Sequence, residues 1–108
     1  MTEKVDQSPS VTLEQVLKRL RQGRSALERA GIRHVAIFGS VARGEDLPDS
    51  DIDLLVTIAP EAPVGLLELV RMSRHLETLL GRKVDLAEPE GLNSDFKAVA
   101  LKEQVVAF

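Results

Sequence analysis

The sequence predicts an α/β domain of the α+β kind, a small mixed β-sheet packed by helices in the order α-β-α-β-α-β-α. Three observations carry that expectation. Apolar residues recur at helical spacing through two long stretches, 12–30 and 64–80. Short runs of branched aliphatics, bounded by glycine and proline, lie at 34–38, 51–58 and 83–87. The connections also differ. Twelve residues separate the first two strands, which permits antiparallel pairing, whereas a long helix separates the second and third and permits a parallel crossover. A chain of 108 residues supports one core and not two.

Residues 1–11 are polar, contain a proline and show no period, so they read as a flexible leader to a domain at 12–108. Thr12 stands three residues before Gln15, the spacing of a capping box, and Leu13, Val16, Leu17, Leu20 and Leu27 continue the helix. Gly23 interrupts that pattern and Gly31 is a natural stop. In the second strand Ile52, Leu54, Val56 and Ile58 share one face, and Asp51, Asp53 and Thr57 share the other. Pro60 and Pro63 bracket a loop. Leu66, Leu69, Val70, Leu76 and Leu80 then mark the second long helix, ended by Gly81. In the third strand Val84 and Leu86 face one way and Asp85 the other. Asn93 or Ser94 can cap a last helix running to about Glu103, and 105–108 can add a short edge strand.

Composition narrows the function. The net charge of −3, from 14 basic and 17 acidic residues, offers no basic field for nucleic acid. With no Tyr or Trp and only three Phe, bases have little to stack on. The absence of cysteine removes disulfides, thiolate metal sites and Cys nucleophiles, and suits a reducing cytoplasm. No signal peptide or membrane-spanning stretch is read, so the expectation is a soluble, cytoplasmic chain.

The chemistry concentrates in FGSVARGEDLPDSDID, residues 38–53. Side chains at i and i+2 of a strand point the same way, about 6.7 Å apart along the chain. Two carboxylates roughly 5 Å apart repel by about 1 to 3 kcal/mol for an effective dielectric between 80 and 20. A divalent cation reverses that sign, and hard oxygen donors suit Mg²⁺. If the second and third strands are neighbours, Asp85 joins Asp51 and Asp53 on one face. Three carboxylates with two metal ions can stabilise the attacking and leaving oxygens of phosphoryl or nucleotidyl transfer. Gly39 and Ser40 follow the first strand and can open a one-turn helix through Val41, Ala42 and Arg43. Its backbone N–H groups and the Ser40 hydroxyl form a phosphate cradle, which a glycine lets a ligand approach closely. Arg43 is the nearest further cation, and Lys83 a weaker candidate.

Gly39-Ser40, ten residues, then Asp51-Ile52-Asp53 resembles the signature of the polymerase-beta-like nucleotidyltransferase superfamily, with Asp85 where that superfamily carries its third acid. The longer string GSVARGEDLPDSDIDLLV is similar to its minimal nucleotidyltransferase (MNT) branch, which includes the antitoxins of HEPN/MNT toxin–antitoxin pairs. The resemblance runs from Ala30 onward. It implies that Gly39 and Ser40 hold the β- and γ-phosphates of ATP. Asp51 and Asp53 would ligate two Mg²⁺ ions, or Mn²⁺ in their place, and Asp85 would ligate one and help deprotonate an acceptor hydroxyl. It further implies a protein adenylyltransferase whose acceptor is a tyrosine of a partner HEPN RNase toxin, in a type VII system. Larger relatives carry further domains that hold the acceptor, and none is seen here.

Each feature has a structural alternative. Pro48, Asp49 and Ser50 are turn chemistry and could explain Asp51 as a turn exit, but Asp53 lies inside a strand, where Asp is disfavoured. Asp85 alone could be a solvated face residue. Arg43 could contact phosphate or pair with Glu45 or Asp46. His34 and His75 carry no assigned role, and Glu14, Glu28, Glu68 and Glu77 read as charges on helix faces. Two competing functions stand beside the leading one: an antitoxin that masks its toxin sterically without catalysis, and transfer to a small-molecule hydroxyl. The exposed faces of the helices at 12–30 and 64–80 are candidate partner surfaces.

Overall fold

In the computed structural model the described residues are 12–45 and 50–108, so the leader and the turn at Pro48 and Asp49 lie outside them. The capping box at Thr12 is formed: its hydroxyl accepts from the Gln15 amide at 3.1 Å, and Gln15 Oε1 accepts from the Thr12 amide at 3.1 Å. It opens α1 (Leu13–Gln22), and α2 (Arg24–Arg29) follows, so the single helix expected at 12–30 is two segments. Gly23 makes the break. It sits in the bridge region at φ −90° and ψ 6°, and a Cβ there would press on Leu79 Cδ2 at 3.0 Å.

Gly31, at φ +106°, turns the chain into β1 (Ile32–Phe38), two residues earlier than expected. Then come α3 (Gly39–Arg43), β2 (Ile52–Ile58), α4 (Leu66–Leu80), β3 (Val84–Ala87), a 3₁₀ turn at Pro89–Gly91, α5 (Ser94–Glu103) and β4 (Val105–Val106). Of the two candidate caps for α5, Asn93 serves: its Oδ1 accepts from the Phe96 amide at 2.9 Å.

The sheet order is β3-β2-β1-β4. β1 is antiparallel to both β2 and β4, and β2 is parallel to β3, so the sheet is mixed as the connection lengths predicted. One face carries Val35, Ile37, Ile52, Leu54, Val56 and Val84, packed against Val16 and Leu20 of α1 and Met72, Leu76 and Leu80 of α4. The opposite face carries Ala36, Phe38 and Leu55, which α5 covers through Ala100. Arg19 Nη1 donates to the Leu80 carbonyl at 3.0 Å and ties α1 to the end of α4.

Two expectations about α4 change. Its buried stripe is Met72, Leu76 and Leu80, and Leu66 lies about 120° round the helix from it. Leu66 is therefore 80% exposed, and Leu67 and Val70 are exposed beside it. Glu68 and Glu77 are more than surface charges. Glu68 Oε1 accepts from the Gly65 amide at 2.9 Å, which holds its carboxyl below the ordinary pKa, and Glu77 Oε2 accepts from the Val84 amide at 3.3 Å. His34 and His75 are exposed, as expected.

Leu54 is fully buried at the centre of β2. Leu54→Ala should cost about 2 to 5 kcal/mol, a large share of the roughly 5 to 15 kcal/mol typical of a domain. Urea unfolding followed by circular dichroism measures it.

Candidate active site

Period-2 alternation decides where the acids go. Because Ile52, Leu54 and Val56 of β2 are buried against α1 and α4, Asp53 must point to the α5 side of the sheet. The parallel register pairs Asp53 with Asp85 of β3, and the antiparallel register pairs it with Phe38 of β1. The condition set by the sequence, that the second and third strands be neighbours, is met. Asp51 stands one residue before β2 rather than inside it. The strand begins at Ile52, whose amide donates to the Lys83 carbonyl at 2.9 Å.

From Phe38 the chain enters α3 directly through Gly39, at φ +75°. The space a Cβ would take at Gly39 is filled by Asp53. Such an atom would collide with the Asp53 Oδ2 and lie 3.1 Å from its Cγ and 3.3 Å from its Cβ. Glycine is thus required at position 39 twice, for the left-handed backbone and for the carboxylate beside it. Val41 is buried beneath the short helix and anchors it, Ser40 is half-buried on its first turn, and Gly44 closes it at φ +73°. The two ends of the segment 38–53 therefore meet.

Arg43 turns toward carboxylates. Its Nε donates to Glu45 Oε1 at 2.9 Å and its Nη1 to Glu103 Oε1 at 3.0 Å. The hydrogen bond from Glu45, and then the charge of Glu103, hold the guanidinium above its ordinary pKa against some desolvation. Glu45 was one of the two partners the sequence suggested, while Glu103, 60 residues away, was not. Arg43's field still reaches Asp53. The Asp53 carboxyl is pushed above its ordinary pKa, first by burial and then by the charges of Asp85 and Asp51, with Arg43 opposing.

Among the described residues, no three acidic or histidine side chains are grouped closely enough to hold a metal ion together. The donor set nevertheless fits a hard divalent cation. Asp51, Asp53 and Asp85 offer oxygen alone, and the half-buried Asp53 is an anion disfavoured by its surroundings, a state that a cation beside it would relieve. Asp51 and Asp85 are exposed and accessible to a ligand. Among the described residues, no helix is long and apolar enough to cross a membrane.

One residue at the site escaped the sequence reading. Arg82 is 8% exposed, and its Nε donates to the Ser50 carbonyl at 3.1 Å, with Nη2 on the same oxygen. The turn Gly81-Arg82-Lys83 reads as a helix stop before a strand, and attention went to Lys83. The available signal was a cation three residues before the third acid.

A profile of the nucleotidyltransferase domain family matches residues 13–107. This chain belongs to that family. The nucleotidyltransferase domain is 40% identical over 96 residues to the protein adenylyltransferase MntA of Thermococcus cleftensis, covering 88% of this chain and 95% of that protein. A solved structure described as a proposed minimal nucleotidyltransferase superposes with TM-score 0.74 at 38% identity, over 88% of this chain and 95% of the other. A chain from the complex of a tri-AMPylated Shewanella oneidensis HEPN toxin with an MNT antitoxin superposes with TM-score 0.61 at 14% identity, over 86% and 71%, which shows a shared fold.

Two outcomes test the geometry of the nucleotidyltransferase domain. Gly39→Ala should cost about 1 to 3 kcal/mol in denaturant unfolding, because it forces a side chain into the left-handed region and onto Asp53. The second concerns pH. Folded Asp53 holds its proton more tightly than the unfolded chain does at the ordinary value of 3.8, so its ionisation opposes folding. The stability present below that value is lost as pH rises through the folded pKa. Asp53→Asn should therefore raise the melting temperature at pH 7, and the difference should vanish at about pH 3.

Proposed function

We propose that this chain is a Mg²⁺-dependent protein adenylyltransferase. It moves AMP from ATP to a tyrosine hydroxyl of a partner HEPN RNase toxin, and so acts as the antitoxin of a type VII toxin–antitoxin system. The observation that carries this reading is the pairing of Asp53 with Asp85 in register, beside the Gly39 turn that brings α3 against the Asp53 carboxylate. The likeness to MntA over nearly the whole of both chains supports AMP as the transferred group and a protein as acceptor. The fold shared with a chain of the HEPN–MNT complex supports the kind of partner.

In the proposed reaction, the backbone at Gly39 and the Ser40 hydroxyl receive the β- and γ-phosphates of ATP. Arg43, held by Glu45 and Glu103, adds positive field on that side without leaving its carboxylates. Asp85 takes the proton of the tyrosine hydroxyl as its oxygen attacks the α-phosphorus in line. The bond from the α-phosphorus to the bridging oxygen breaks, and its electron pair leaves with pyrophosphate. Asp51, Asp53 and Asp85 would hold two Mg²⁺ ions, or Mn²⁺, which neutralise the triphosphate and stabilise the attacking and leaving oxygens. This sequence contains no tyrosine, so the modified residue belongs to the partner.

A second reading, masking of the toxin without chemistry, is favoured by one observation, the exposed Leu66, Leu67 and Val70 on the first turns of α4. The test incubates the chain with α-labelled ATP, Mg²⁺ and its HEPN partner. Label should appear on a partner tyrosine and fall about a hundredfold or more in Asp51→Asn or Asp53→Asn. A double variant that transfers no label yet neutralises the toxin at equal expression would replace catalysis with masking.

A further inference from the structure

We infer that Arg82 is a positioning residue for Asp51, and through it for the divalent cation and nucleotide. The inference rests on the nucleotidyl-transfer reading above and adds a residue to it. Arg82 is the buried charged residue among the described ones, and it lies in the turn between α4 and β3. Its guanidinium donates from Nε at 3.1 Å, and from Nη2, to the carbonyl oxygen of Ser50. On the other side of Asp51, the Ile52 amide donates to the carbonyl of Lys83, the next residue, at 2.9 Å. The peptide groups before and after Asp51 are therefore both bonded to residues 82–83.

Asp51 needs this more than its neighbours do. Asp53 is fixed inside β2 by strands on both sides and by the Gly39 turn, and Asp85 is fixed within β3. Asp51 precedes the strand, is exposed, and follows a connection free of regular structure in its described part. Backbone left loose there would move its carboxylate relative to Asp53 and Asp85. The Arg82 clamp removes that freedom, and it comes from the same turn that leads to Asp85, so the first and third acids move as one unit. A buried guanidinium also retains its charge under all ordinary conditions and presents its donors in a fixed plane, whereas a lysine ammonium offers a single point of attachment.

The experiment measures Mn²⁺ binding by electron paramagnetic resonance in the full chain, with the non-transferable analogue α,β-methylene ATP, alongside thermal melts. In R82Q the Mn²⁺ affinity should fall about ten- to a hundredfold. R82K should recover part of that loss with a melting curve close to wild type. In a D51N background R82Q should add less than about a twofold further loss, because Arg82 acts through the group already removed. Equal losses in both backgrounds, wild-type affinity in a folded R82K and R82Q pair, or failure of both variants to fold would each overturn the inference and leave Arg82 a scaffold residue. If the wild-type chain itself binds no Mn²⁺ with the analogue, the nucleotidyl-transfer reading falls as well.

Discussion

The parallel pairing of β2 with β3 is the constraint from which the rest of this structure follows. It begins where the Ile52 amide meets the Lys83 carbonyl and runs in register through Asp53 and Asp85. A parallel pair needs a crossover, and α4 supplies it, leaving β2 near Ile58 and ending at Gly81 in the left-handed conformation. Its buried stripe of Met72, Leu76 and Leu80 seats the crossover on the face opposite the acids. The same helix that permits the pairing thus closes the core and leaves the other face of β2 to Asp53.

That register is secured by more than its own hydrogen bonds. β2 lies between β1 and β3, and a slip of one residue would turn Leu54 and Val56 outward and drive Asp53 into the core. The cost of burying an ionised carboxylate among aliphatics far exceeds what one strand pair contributes. The apolar face therefore enforces the geometry of the polar one. The raised pKa of Asp53 is the residue of that bargain: the fold holds a carboxylate where burial and two like charges disfavour its ionised form.

Much of this was legible in the sequence because it depends on local rules. Alternation in residues 51–58 assigned the faces, glycines 31, 39 and 81 marked the ends of elements, and the connection lengths gave the strand directions. What local rules could not supply was spatial neighbourhood. The partner Glu103 of Arg43 is 60 residues away and arrives only because α5 packs over Phe38 and Leu55. The exposure of Leu66 depends on which stripe of α4 the sheet selects, and both stripes looked apolar in the sequence. Gly23 was visible as an interruption, but its effect depended on Leu79 crowding it from another helix. Arg82 looked like an ordinary turn residue until the turn was placed beside Ser50.

The three acids are not held alike, and the difference matters for the proposed chemistry. Asp53 is hemmed in by Gly39 and two strands, which suits a carboxylate that must not move as charge develops around it. Asp51 is held through its backbone, by contacts on either side of it. Asp85 lies on an edge strand, paired on one side only and exposed, so a bulky acceptor can reach it without displacing the others. A general base that must meet a hydroxyl from another protein belongs at such an edge. A group that must hold phosphate and cation in fixed relation belongs in the middle, and the order of strands assigns the two tasks to different aspartates.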